Sequence, residues 1–250
     1  MEKLILPGKD DFLYQVDDTK VEADSRGKPD LAKTVYFLQN LALAHVKKLG
    51  FGEDYQREKS FLYVVCRMKG TFYQNLKVGK KLTGVTYTLV PNLIDMIRYA
   101  YLLDSEEKPV LFLSSLWILL DPKTRRIKPA RFYRDDILAK YPKMKENKEI
   151  EGTHLAALDF PKEGFVKAGD YTIAPSDIDA NHHMNNTSYL RISKDISSFD
   201  SLSSFEIDFE KECFLNDKLS LWKKEEPGKE EIEGRKEDGS LSFKLRFLSR

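Results

Sequence analysis

Leu31, Val35, Leu38, Ala42, His45, Val46 and Leu49 recur three and four residues apart between positions 30 and 49, the spacing of one helix face. Asp30 stands where an N-cap belongs and Gly50 where a helix stops, so this stretch is expected to be an amphipathic helix. After it the pattern changes to β-branched, aromatic and apolar runs at 60 to 73, 80 to 90, 94 to 104 and 109 to 120, broken by turn residues such as Val78-Gly79-Lys80 and Asp104-Ser105. These are expected to form an antiparallel sheet.

Residues 131 to 155 are highly charged and read as a linker, with a short helix near 134 to 141. Beyond it the order returns: an extended piece at 170 to 174, a polar loop, a short helix from about Asn186, and strands near 204 to 214, 217 to 224, 230 to 237 and 240 to 248, the last two joined by the turn pair Asp238-Gly239. Each half thus runs extended segment, loop, helix, strands. The pattern predicts an α+β fold made of one duplicated unit, the first at 1–130 and the second at 156–250, each with a sheet wrapped around a helix. The charge-rich stretch Lys223 to Asp238 is expected to be a solvated edge hairpin.

Composition narrows the function classes. With 41% hydrophobic and 12% aromatic residues the chain has the material for a sizeable core and is expected to fold. Its longest apolar run, Val110 to Leu120, is broken by Ser114 and Ser115 and is shorter than a membrane span. The apolar run near Met1 ends at Pro7-Gly8, too short for a secretory signal, so a cytoplasmic protein is expected. Two cysteines, Cys66 and Cys213, build neither a disulfide framework nor a cysteine zinc site. Forty-one basic against forty acidic side chains leave no global field, so a charged partner must read a local patch. Lys123 to Arg134, with six Lys or Arg and no acid, is the one long segment of a single sign; it is either a solvated strand end or a dock for an acidic partner.

The chemistry concentrates in Ser176 to Asn186, which holds Asp177, Asp179, Asn181, His182, His183, Asn185 and Asn186. Asp177, Asp179 and Asn181 begin like a calcium loop, but His182 stands where that loop needs Gly and Ser188 where it needs Glu. Adjacent His182 and His183 point to opposite faces of an extended segment and do not share a metal, and His45 and His154 join them only if the fold brings them there. No metal and no cofactor is expected. Two readings stay open on spacing alone. In an extended segment Asp179, Asn181 and His183 share one side, with Asp177 continuing the row, which is an acid-base arrangement; or the stretch is an Asx-rich turn and cap ahead of a helix.

The wording of the stretch favours the first. Ile178-Asp179-Ala180-Asn181-His182-His183-Met184-Asn185-Asn186-Thr187-Ser188-Tyr189 resembles the Leu-Asp-x-Asn-x-His-Val-Asn-Asn-x-x-Tyr motif of the acyl-acyl-carrier-protein thioesterases of plants and bacteria. Glu210-Lys211-Glu212-Cys213 is similar to that family's Arg-Arg-Glu-Cys segment, and Leu43 to Val46, Val64 to Met68, Ser115 to Ile118, Asp121 and Thr124 to Arg126 resemble its first-half motifs, so the likeness runs from about residue 12 to 215. The helix after Tyr189 departs from the pattern, lacking its Trp and Leu-Glu.

The resemblance implies a tandem hot-dog fold, the acyl chain lodged mainly in the first unit, and hydrolysis of a fatty acyl thioester to free acid and carrier protein. It gives the catalytic places to Asp179, Asn181, His183 and Glu212. Glu212 is expected to activate water, while Cys213, next to it on a strand and so facing the other way, is expected to be a buried core residue. Asn185, Asn186 and the helix start are expected to help hold the oxyanion, His182 to face outward, and Arg125 and Arg126 to dock the acidic acyl carrier protein. Acyl-coenzyme A is the rival substrate, and a non-catalytic acyl or nucleic-acid binder the rival class; no nucleic acid and no membrane partner is expected, and a homodimer is compatible with the reading.

Overall fold

The computed structural model describes residues 13–150, 153 and 155–250; His154 lies outside the described residues. Strand β1 (Tyr14–Lys20) leads into helix α1 (Leu31–Lys48), a short helix α2 (Glu53–Lys59), and strands β2 (Leu62–Phe72), β3 (Lys81–Thr88), β4 (Asp95–Leu103), β5 (Pro109–Leu120) and β6 (Ile127–Lys128). Helix α3 (Arg131–Lys140) and a 3-10 turn follow, and then β7 (Val166–Thr172), α4 (Asn186–Ile196), β8 (Leu202–Phe209), β9 (Lys218–Glu226), β10 (Lys229–Lys236) and β11 (Leu241–Ser249).

The strands form one antiparallel sheet in the order β1-β3-β4-β5-β2-β8-β11-β10-β9-β7, with β6 paired to β5. Cut at the β2–β8 seam, this gives two runs of identical connectivity, each holding one long helix: the expected α+β tandem hot-dog. The cut is a seam, not a gap. Val35 and Leu38 of α1, Leu190 and Ile192 of α4, and Phe205 and Phe243 of the second sheet belong to one apolar cluster. At the seam Gly70 is opposite Phe205, and a Cβ on Gly70 would fall 2.1 Å from the ring, so only glycine lets the two units close this tightly.

Helix α1 begins and ends where the sequence predicts. Asp30 caps it, accepting from the Lys33 amide at 2.9 Å, and Gly50 leaves it with φ of +88°. Its inward face buries His45 completely; burial and the nearby Arg98 and Lys48 cations push that imidazole down to about 2, so it is neutral.

Three expectations need correction. The supposed edge hairpin β9–β10 lies inside the sheet, between β7 and β11, and the sheet edges are β1 and β7. Its charges are not all solvated either: Glu230 is fully buried, accepting from the Ser198 amide at 2.8 Å, and Glu231 accepts from Arg246 at 3.0 Å. Partners at these positions, rather than water, carry the charge. Second, α3 starts at Arg131, ahead of the expected 134, because Tyr133 and Ile137 are core residues; with Met144 they pack against Phe51, Phe61 and Leu119. Helix α3 and the turn after it are therefore packed against the first unit. Third, β8 ends at Phe209, so Glu210 to Asn216 is a loop rather than strand. Among the described residues no helix is long and apolar enough to cross a membrane.

Candidate active site

The polar stretch is a closed turn, not an extended row. An isolated antiparallel bridge joins Ile178 to Met184, the Asp179 amide donates to the His183 carbonyl at 3.0 Å, and the His182 amide donates to the Asp179 carbonyl at 3.0 Å. His182 turns the chain at φ of +65° and is exposed, as expected. The Asp179 carboxylate accepts from the Asn181 amide at 2.8 Å, the local bond that Asp favours in such turns. Closing the turn achieves what the strand pattern was meant to do for two residues: the other oxygen of Asp179 lies 3.6 Å from His183 Nδ1. Asn181 is exposed at the tip and joins the group only through its backbone.

Asp177 does not continue the row. It is buried, and it accepts from the Tyr171 hydroxyl at 2.6 Å, the Ala174 amide at 2.9 Å and Arg191 at 2.7 Å. Burial pushes its carboxyl up, and these hydrogen bonds outweigh burial and leave it below the usual range. It anchors the turn to β7 and α4. Asn185 caps α4, its side chain accepting from the Thr187 amide at 2.9 Å and the Thr187 hydroxyl at 2.8 Å. The Thr187 and Ser188 amides are thus spent on Asn185, its side chain and its carbonyl respectively, so the start of α4 offers fewer free donors than its position suggests.

Glu212 arrives on the loop after β8. The Met184 amide donates to the Cys213 carbonyl at 2.7 Å, tying that loop to the turn one residue from each functional side chain. Lys236 fastens it from β10, donating to the Glu212 carbonyl at 3.0 Å and to Asp217 at 2.8 Å. Burial lowers the Lys236 pKa, but Asp217 overrides it and holds the ammonium above its usual value. The outcome is a line: Asp179 at one nitrogen of His183, and Glu212 Oε1 at 3.9 Å from the other, Nε2. Because the carboxylates face opposite nitrogens they do not converge on one point, and no metal-holding group of three His, Cys, Asp or Glu occurs among the described residues. The imidazole is bracketed by carboxylates, one at each nitrogen, an arrangement suited to acid-base chemistry. At 3.9 Å, His183 and Glu212 are beyond a hydrogen bond, and one water is able to touch both.

Cys213 is fully buried with its Sγ 3.0 Å from the Ser242 hydroxyl, and burial pushes its thiol up, away from the reactive thiolate. Nearby lies a partner that sequence reasoning assigned elsewhere. Arg125, expected to dock the carrier, is exposed and makes an ion pair with Glu212 Oε2. The rest of the basic segment is divided: Arg131 and Arg134 lie near Asp135, and Lys128 donates to the Ser60 carbonyl at 3.2 Å, while Lys123 and Arg126 are exposed.

The first unit holds a cavity of about 20 Å³, room for about one water, between α1 and the sheet, lined by Ala42, Leu43, Val46, Met96 and Trp117 among others. Trp117 is on β5, the strand that leads into the loop carrying Arg125.

With this geometry in hand, comparison with known proteins is informative. The family model for the acyl-ACP thioesterase N-terminal domain matches residues 12–150, and that for the acyl-ACP thioesterase C-terminal domain matches residues 163–246. No curated protein matches the sequence. Among solved structures the chain is similar to an acyl-ACP thioesterase from Bacteroides thetaiotaomicron, at 18% identity and a TM-score of 0.80, covering 94% of this chain and 96% of that one. It is also similar to a 12:0-ACP thioesterase from Umbellularia californica, at 17% identity and a TM-score of 0.79, covering 96% of this chain and 97% of that one. At such identities the structures speak for the fold, and the family models speak for descent.

Proposed function

The chain belongs to the acyl-ACP thioesterase family, whose members are thioester hydrolases, and from that premise we propose that its fatty acyl carrier substrate is cleaved by the Asp179–His183–Glu212 line. In this reading Glu212 Oε1 takes a proton from the water held between it and His183. The water oxygen attacks the thioester carbonyl carbon, and the carbonyl electrons move onto oxygen. The Asn186 amide serves that oxyanion, a well-placed donor being worth roughly 3 to 4 kcal/mol. Collapse breaks the carbon–sulfur bond; the thiolate takes a proton relayed through His183, whose ring Asp179 holds in orientation. The products are the free acid and the carrier thiol, and the enzyme is regenerated.

The observation that carries this reading is the imidazole flanked by two carboxylates at 3.6 and 3.9 Å, one on each nitrogen. The acyl chain enters the first unit beside α1, where Leu43 and Met96 must swing to enlarge the small cavity around Ala42 and Trp117. Exposed Arg126 and Lys123 meet the acidic carrier.

The test is thiol release from acyl carrier protein loaded with a fatty acyl group, run beside the same acyl group on coenzyme A. Higher kcat/KM on the carrier, abolished by Asp179→Asn and by His183→Ala, is the expected result. Preference for coenzyme A would move the substrate assignment, and full activity in either variant would remove the mechanism.

A further inference from the structure

We infer that Arg125 is a positioning residue of the hydrolytic site, supplied by the first unit to aim the Glu212 carboxylate of the second. The inference rests on the role proposed above for Glu212 and goes beyond it.

Four observations point the same way. The two oxygens of Glu212 face different groups: Oε2 meets the Arg125 guanidinium, and Oε1 meets His183 Nε2 at 3.9 Å. A carboxylate gripped at one oxygen by a planar guanidinium loses the freedom to rotate, so the other oxygen keeps its aim. The loop that carries Arg125 is built to hold it. The Asp121 carboxylate accepts from the Lys123 amide at 3.0 Å, the Thr124 amide at 2.8 Å and the Thr124 hydroxyl at 3.1 Å, and the Asp121 and Arg126 backbones close the loop at 2.9 Å. These bonds, the Thr124 amide first, hold the Asp121 carboxyl below its usual range.

Arg125 itself has φ of +56°, in the left-handed region where a residue other than glycine is strained. The chain accepts that strain at the residue whose side chain crosses to Glu212. The duplicated unit supplies the fourth observation. Asn75 lies three residues past the end of β2, as Glu212 lies three past the end of β8, and Arg250, the residue after β11, donates to the Asn75 side chain at 2.9 Å. A guanidinium reaching from the other unit to this position is therefore a feature of both halves, and where the position holds an acid the pairing becomes an ion pair next to a histidine.

A positioning role and a docking role for Arg125 differ in what they do to the kinetics. A docking arginine acts on the carrier and changes KM for carrier-linked substrate; an arginine acting through Glu212 changes turnover of any thioester. The experiment is a double-mutant cycle. Arg125→Ala, Arg125→Lys, Glu212→Gln and the Arg125→Ala/Glu212→Gln pair are assayed on acyl carrier protein and on a carrier-free acyl pantetheine, with thermal unfolding to confirm that each variant is folded. Arg125→Ala is expected to lower kcat on the order of 10- to 100-fold on both substrates, as a small misplacement of a catalytic group does, with KM within about twofold. Arg125→Lys should recover part of the loss, and in the Glu212→Gln background Arg125→Ala should cost nothing more.

A loss confined to KM on the carrier, or an equal loss in both backgrounds, would overturn the inference. Wild-type turnover in Arg125→Ala while Glu212→Gln is dead would overturn it too, and leave the proposed function standing. Wild-type turnover in Glu212→Gln would instead remove the reading on which it rests.

Discussion

The turn before α1 and the turn before α4 are the same object with different chemistry. Each is closed by an isolated bridge, Ala23 to Pro29 in the first unit and Ile178 to Met184 in the second. The amide of Asp24 donates to the Lys28 carbonyl at 2.7 Å, as that of Asp179 donates to His183 at 3.0 Å; Asp24 accepts from the Arg26 amide at 2.9 Å, as Asp179 accepts from Asn181 at 2.8 Å. The left-handed residue is Gly27 in one and His182 in the other, and the next helix is capped by Asp30 in one and Asn185 in the other. The fold thus supplies the geometry twice. Only the second copy carries an imidazole where the first has Lys28, an amide where it has Arg26, and the acid Glu212 where it has Asn75. The scaffold is shared; the chemistry proposed above lies in a few substituted positions on it.

The strongest way to break this comparison is to make matched changes in both turns. Asp179→Asn and His183→Ala should lower kcat by about 10² to 10⁴, the usual worth of acid-base groups, while Lys28→Ala stays within about threefold of wild type in a thiol-release assay. Equal losses in the two turns would mean that they serve only to fold the chain.

A second test concerns the seam that lets the copies share a core. Gly70→Ala, placing a methyl 2.1 Å from Phe205, should cost about 1 to 3 kcal/mol in denaturant unfolding. Unchanged stability would show that the units close less tightly than described.

A third contrasts the histidines. His45, pushed from 6.5 to about 2 by burial and its cationic neighbours, binds its proton in the unfolded chain but not in the folded one across that window. Stability from this group is whole above pH 6.5 and is lost as pH falls toward 2, by up to about 1.4 kcal/mol per pH unit. His45→Gln should flatten the acid side of the stability profile, and an unchanged slope would argue against a neutral buried His45.

The smallest effect is expected at the turn's left-handed residue. His182→Gly, copying Gly27, should relieve strain at φ of +65° and stabilise by about 0.5 kcal/mol net of the added chain entropy, with turnover unaffected. Loss of turnover would give His182 a role that its exposure does not suggest.

The helices and strands were legible because periodicity and caps are local: Asp30 and Gly50 bound α1 as read. What failed was geometry made by distant partners. Asp179 and His183 do meet, but through a turn closed by backbone bonds, and Asp177 was misplaced because its partners Tyr171 and Arg191 come from a strand and a helix. The charges of β10 looked solvated because the alternation of a strand does not say whether Ser198 and Arg246 wait on the buried side. The ion pair of exposed Arg125 was not legible for the same reason: its partner lies in the other unit. The residues that the family motifs single out, Asp179, His183 and Glu212, are neighbours in the fold, with Asn181 exposed at the rim.

One experiment bears most directly on the claim that a carboxylate, and not the thiol beside it, drives hydrolysis: thiol release from acyl carrier protein by Glu212→Gln and Cys213→Ala, side by side. The account predicts that Glu212→Gln loses at least about 100-fold in kcat while Cys213→Ala, once shown to be folded, turns over within a few-fold of wild type. A dead Cys213→Ala beside an active Glu212→Gln would contradict it.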